Sequence, residues 1–153
     1  MSQQLHNLLR ENARLLIRRL GLLEKDSVGC CCITMPQCHV IVELGRHNAL
    51  SVNDLAQLLN LDKSSVSKTV DKLVNNGLLN RVPSLEDRRY VVLTLSQEGH
   101  AAYEDIEARM DTHFEKILQA IPAEKREQVI ESLDLFTTAL KQVQQDTPYE
   151  KRC

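Results

Sequence analysis

Three consecutive cysteines, Cys30, Cys31 and Cys32, are followed by Cys38 and its neighbour His39. Thiolates this close can be oxidised to a disulfide or a sulfenic acid, and a nearby helix N-terminus would lower a thiol pKa and favour that chemistry. A ring closed by adjacent cysteines is strained. Cys30 with Cys32, either of them with Cys38, or a bond between two chains fits better. The same thiolates suit a soft ion such as arsenite, copper(I) or zinc, with His39 as a borderline ligand. The plainer alternative makes them small packing residues and leaves a small organic anion or a phenol as the signal. Five cysteines is an odd number, so at least one thiol has no partner within the chain. Cys153 lies at the tail and is given no role.

A second set of residues suits contact with phosphates and base edges. At about 100° per residue, Ser64, Lys68, Lys72 and Asn75 share one helix face, and Val66, Val70 and Leu73 share the opposite one. Ser64, Ser65 and Ser67 are small donors. Lys68 reaches a guanine edge or a phosphate, and Lys72 lies further along, where backbone is met. Later in the chain Asp87 is placed to orient Arg89 as a bidentate pair. That leaves Arg88 for the minor groove or a phosphate. Each piece alone is an ordinary solvated side chain. Their order is what points to DNA.

The elements that must position these residues follow from apolar spacing. Leu5, Leu8, Leu9, Leu15, Leu16, Leu20 and Leu23 predict one long first helix, with Arg10, Arg14 and Arg18 facing elsewhere. Residues 26–34 read as a loop. Thr34 caps a second helix, Pro36 suits its first turn, and Gly45 is the expected stop. Ser51 caps a third helix, with Asp54 in its first turn and Leu55, Ala56, Leu58 and Leu59 on its buried side. Asn60 tolerates the left-handed turn, Leu61 is expected to plug the corner, and Asp62 caps the fourth helix. Residues 78–82 and 90–95 predict a hairpin around the polar loop PSLEDRR. Ser96 caps a long fifth helix striped by Tyr103, Ile106, Met110, Phe114, Ile117 and Ile121. Pro122 breaks it and opens a last helix with a seam of Val129, Leu133, Phe136, Leu140 and Val143.

This order predicts a mainly α chain. It is a winged helix-turn-helix with long N- and C-terminal dimerisation helices and a small β-hairpin wing. Residues 1–34 form the N-terminal dimerisation helix and cysteine-rich loop, and 35–98 the winged helix-turn-helix. Residues 99–146 form the C-terminal dimerisation helices, and 147–153 a frayed tail. The end helices carry more apolar stripe than one winged helix can cover. A homodimer would bury it and set two reading helices about 34 Å apart, one turn of DNA.

Composition agrees. The net charge of −2 rules out a uniformly basic DNA binder. The acidity is concentrated in residues 97–153, which hold twelve acids against seven Lys/Arg, whereas residues 43–96 hold six against seven. Binding would therefore rest on a few placed cations. No apolar run matches a membrane span or a signal peptide, which predicts a cytoplasmic protein with no membrane partner. No Gly-rich phosphate loop, HExxH or nucleophile elbow supports an enzyme. Cys38 and His39, adjacent on a helix, do not face one another as a dyad. No cofactor is required; a soft metal or metalloid would act as an effector.

The chain resembles the MarR family of bacterial transcriptional regulators. The resemblance rests on TMPQCHVIVEL, on LAQLLNLDKSSVSKTVDKLVNNGLL, and on D-x-R-x-x-x-L-x-L-S from Asp87 to Ser96. It implies a homodimer on a pseudo-palindromic double-stranded operator. Base readers map onto Ser64, Ser65, Ser67 and Lys68, and wing contacts onto Arg88 and Arg89. Phosphate contacts map onto Ser51 and Asn53. Effectors of the family commonly act near the junction that holds the cysteines. Zinc-sensing members use His-rich ligand sets, which His100 and His113 do not reproduce.

Overall fold

In a computed structural model, residues 2–27 and 33–146 are described. Cys30, Cys31 and Cys32, Cys153 and the expected frayed tail lie outside them. The chain divides into two compact units, residues 1–110 and 111–153.

The first unit opens with α1 (Ser2–Ser27), a single helix. Its Leu5, Leu8, Leu9, Leu15, Leu16 and Leu20 are all exposed in the isolated chain. Thr34 stands in extended backbone ahead of α2 (Met35–His47), and its N–H donates to Gln37 Oε1 at 2.8 Å. Val40, Ile41 and Leu44 of α2 are buried. Gly45 does not stop this helix, which runs on to His47. Asn48 ends it with φ 66°, its N–H donating to the Leu44 carbonyl. The small residue at 45 has a packing cause instead. A Cβ there would lie 2.6 Å from Cγ of Tyr103.

Ser51 caps α3 (Val52–Leu59), and Asn60 turns the chain in left-handed backbone at φ 51°. Asp62 then caps α4 (Lys63–Asn75). Leu55 is fully buried, with Val52, Ala56 and Leu59 packed beside it. The buried arc of α3 is narrow, and Leu58 falls off its edge at 48 % exposure. Leu61 does not plug the corner. Its N–H closes the turn onto the Ala56 carbonyl at 3.0 Å, while its side chain stays 46 % exposed. Val66, Val70 and Leu73 form the inner face of α4 as expected. Each such aliphatic side chain contributes about 1.5–3 kcal/mol by leaving water.

The wing is an antiparallel pair, β1 (Leu79–Pro83) and β2 (Val91–Leu95), in a register that sets Arg81 opposite Leu93. Leu79, Leu93 and Leu95 point into the core. A single-residue bridge adds a third edge: Leu50 and Leu93 exchange both backbone hydrogen bonds, at 3.2 and 2.8 Å. This ties the wing to the segment that enters α3.

Ser96 starts α5 (Gln97–Ala120), accepting from the Gly99 N–H at 3.0 Å and donating to the Gly77 carbonyl at 2.6 Å. A Cβ at Gly99 would collide with the Leu78 carbonyl oxygen. The end of α4, the start of the wing and the first turn of α5 are thus pinned together. In the second unit, Pro122 leads first into a 3-10 turn (Ala123–Lys125) and only then into α6 (Arg126–Asp146). Phe114, Leu133, Leu140 and Val143 remain exposed there.

Candidate nucleic-acid interface

The residues expected to read DNA lie on the face of α4 turned away from the core. Ser64, Lys68, Lys72 and Asn75 are all exposed, opposite the buried Val66, Val70 and Leu73. Among the described residues neither Lys68 nor Lys72 makes an ion pair, so both ammonium groups are available to an anion. Two of the serines are already engaged or turned aside. The Ser65 hydroxyl donates to Asp62 Oδ1 at 2.8 Å, and its N–H donates to Oδ2 at 2.8 Å. Ser65 can therefore offer lone pairs more readily than a proton. Ser67 is half-buried on the flank. Ser64 and Lys68 are left as the outward donors on the first two turns.

The preceding cap is built the same way. Ser51 Oγ accepts the Asp54 N–H at 3.1 Å and donates to Asp54 Oδ2 at 2.7 Å, and the Ser51 N–H reaches the same carboxylate at 3.0 Å. These bonds, the hydroxyl first and the amide second, hold the Asp54 carboxyl below the usual carboxylate range. Ser51 thus fixes where α3 begins, and Asn53 stands exposed one residue into that helix.

At the wing, Arg89 grips Asp87 through Nε, at 3.1 Å from both oxygens, and through Nη2 at 2.8 Å. The Arg89 N–H adds a bond at 3.0 Å. The guanidinium first, and then the amide, lowers the Asp87 pKa, and the carboxylate in turn raises that of Arg89. Arg88 is exposed and, among the described residues, unpaired. The expected pairing of Arg89 with Asp87 is present.

One link was not foreseen. The Arg81 guanidinium of β1 donates to the Asp71 carboxylate of α4, tying the wing to the reading helix. An arginine ten residues beyond an aspartate carries no sequence signal; the packing of β1 against α4 brings them together.

Of the thiol set, Cys38 is half-buried in the first turn of α2 and His39 is exposed. The thiol cluster as a whole falls mainly outside the described residues. Among those described, no group of three His, Cys, Asp or Glu side chains is placed to hold a metal ion. No described helix is long and apolar enough to cross a membrane.

Two helices meeting at a capped left-handed turn, followed by a two-stranded hairpin, define a winged helix-turn-helix protein. Residues 33–91 match the model of the MarR family. That segment takes in most of the winged helix-turn-helix, and the relatives that the chain resembles are HTH-type transcriptional regulators. The chain is similar to the HTH-type transcriptional regulator YfiV of Bacillus subtilis, with 26 % identity over 114 residues, 74 % of this chain and 71 % of that one. It is also similar to the HTH-type transcriptional repressor MdtR of the same organism, 30 % identical over 74 residues, 48 % of each chain. In fold it matches Streptococcus pneumoniae FabT in complex with DNA at a TM-score of 0.78, with 19 % identity over 90 % of this chain and 98 % of that one. It also matches Staphylococcus aureus MarR in complex with salicylate and kanamycin at 0.79, with 19 % identity over 91 % and 94 %.

Proposed function

We propose that this chain is a cytoplasmic transcriptional repressor that binds a pseudo-palindromic operator as a homodimer, and that a signal acting on its cysteines changes its hold on DNA. The observation that carries the DNA reading is the outward row of Ser64, Lys68 and Lys72 beside a wing whose Arg88 is uncommitted. Lys68 reads a base edge or phosphate in the major groove. Arg88 meets the adjacent groove or backbone, and Arg89 shapes the wing through Asp87. Ser51 and Asn53 approach a phosphate, with the Ser51 hydroxyl serving mainly as the cap. The chemistry is binding and not catalysis.

Dimerisation is supported by the exposed leucine face of α1 and by Leu133, Leu140 and Val143 of α6. A second copy would cover these faces and set the two α4 helices one turn of DNA apart. Repression is supported by the name of MdtR, a transcriptional repressor.

The signal is read by Cys30, Cys31, Cys32 and Cys38, by thiol oxidation or by capture of a soft metal or metalloid, with His39 as a further ligand. Its support is the density of thiols in the sequence and the place of Cys38 at the start of α2. A second reading has an observation of its own. The S. aureus MarR of similar fold is in complex with salicylate, a small organic anion, and with kanamycin.

The test is a search of a random duplex library for a two-fold-symmetric site, followed by binding with and without peroxide, arsenite, copper(I), zinc and salicylate, and mass analysis of the thiols. Release by a thiol reagent that is lost on changing the four cysteines to serine supports the thiol signal. Release by salicylate alone, with the thiols unmodified, favours the second reading.

A further inference from the structure

The loop between the wing strands is a fixed turn. The Ser84 N–H donates to the Tyr90 carbonyl at 2.8 Å and the Tyr90 N–H to the Asp87 carbonyl at 3.0 Å. The Glu86 N–H donates to Ser84 Oγ at 3.3 Å, and the Arg89 fork closes on Asp87. At the tip stands Leu85, exposed to 103 %, more than any other large apolar side chain among the described residues.

The charges beside it cancel. Glu86 and Asp87 oppose Arg88 and Arg89. A neutral tip gains little from the field of a phosphate backbone. Beyond the single contact of Arg88, whatever affinity the tip adds must come from contact at short range, and its outermost group is aliphatic. We propose that Leu85 is a DNA-contact residue, which packs on the sugar walls and base edges of a groove once α4 is seated and supplies affinity that salt does not weaken. The proposal rests on the DNA-binding reading above. Proteins that bind the minor groove use leucine and other apolar side chains against the bases, there as wedges between base steps. Because the turn is held by its own hydrogen bonds, little order is lost when it docks.

The probe is the tightest duplex that the full chain retains from a random-sequence library. Wild type, Leu85→Ala and Arg88→Ala are titrated with it over a salt series, and their melting temperatures are compared. Leu85→Ala is expected to bind roughly five- to twentyfold more weakly, the effect of removing a partly buried aliphatic group. Its dependence on salt is expected to match wild type, and its melting temperature to stay unchanged. Arg88→Ala is expected to flatten the salt dependence. An unchanged affinity for Leu85→Ala overturns the proposal, as does a loss accompanied by a flatter salt slope or a lower melting temperature. A wild-type chain that retains no duplex at all removes the DNA-binding reading and this proposal with it. That outcome is distinct from a tight wild type with an indifferent Leu85→Ala.

Discussion

The guanidinium of Arg81, on the first wing strand, donates to the carboxylate of Asp71, on the reading helix. The pair joins the wing to α4 at the protein surface. Both side chains are about half exposed, so their attraction is screened by solvent and contributes less than about 1 kcal/mol to stability. Arg81→Ala and Asp71→Ala should each lower stability by no more than that. The double variant should lose no more than the larger single loss, since both changes break one contact. Urea unfolding of the four proteins measures it. Affinity for DNA should fall further for Arg81→Ala than this small cost accounts for, because the wing then loses its bearing on the groove.

The ring of Tyr103 lies against Gly45, where an added Cβ would come 2.6 Å from its Cγ. Alanine is favoured over glycine in a helix by about 1 kcal/mol, but overpacking costs about 1–3 kcal/mol. Gly45→Ala should therefore destabilise the chain by up to about 2 kcal/mol. In a Tyr103→Ala background the clash is gone, and the same substitution should become stabilising. A change of sign between the two backgrounds, read by thermal unfolding, separates packing from propensity.

Much of this fold was legible in the sequence, because local chemistry decided it. Ser51, Asn60 and Asp62 mark the helix-turn-helix by capping and by one left-handed residue, and all three do so in the structure. The fork of Arg89 on Asp87 was equally local, two residues apart. What failed was decided by distant partners. Gly45 reads as a helix stop until Tyr103 is seen against it, fifty-eight residues away. Leu58 and Leu61 satisfy the apolar pattern yet stand outside the narrow arc that the core covers. The Leu50–Leu93 bridge is a single residue long and leaves no alternation to detect. In the interface, the row of Ser64, Lys68 and Lys72 followed from helical period alone. The engagement of the Ser65 hydroxyl with Asp62, and the tie from Arg81 to Asp71, needed coordinates.

The caps that set α3 and α4 should be visible as stability. Replacing Ser51 or Asp62 with alanine removes the acceptor of a helix-end amide and should cost about 1 kcal/mol each. The two sites lie in separate caps, so the losses should be close to additive. Chemical denaturation of the single and double variants checks both statements.

Asp54 and Asp87 are both held below the ordinary carboxylate range, by Ser51 and by Arg89 respectively. A carboxyl with a depressed folded pKa stabilises the fold above its unfolded value, and that stabilisation is lost as the pH falls through the folded value. Melting temperature should thus drop on acidification below about pH 4. Asp54→Asn should start lower at neutral pH and fall less steeply in acid. A parallel acid profile for wild type and Asp54→Asn would show that this carboxylate does not contribute.

The central claim is that α4 meets DNA through its outward row. Its most direct measurement is the affinity of wild type and Lys68→Ala for the duplex that wild type selects, across a range of salt concentrations. The account predicts at least about a tenfold loss for Lys68→Ala and a salt slope shallower by about one for each reading helix engaged. Equal affinities and equal slopes for the two proteins would contradict it.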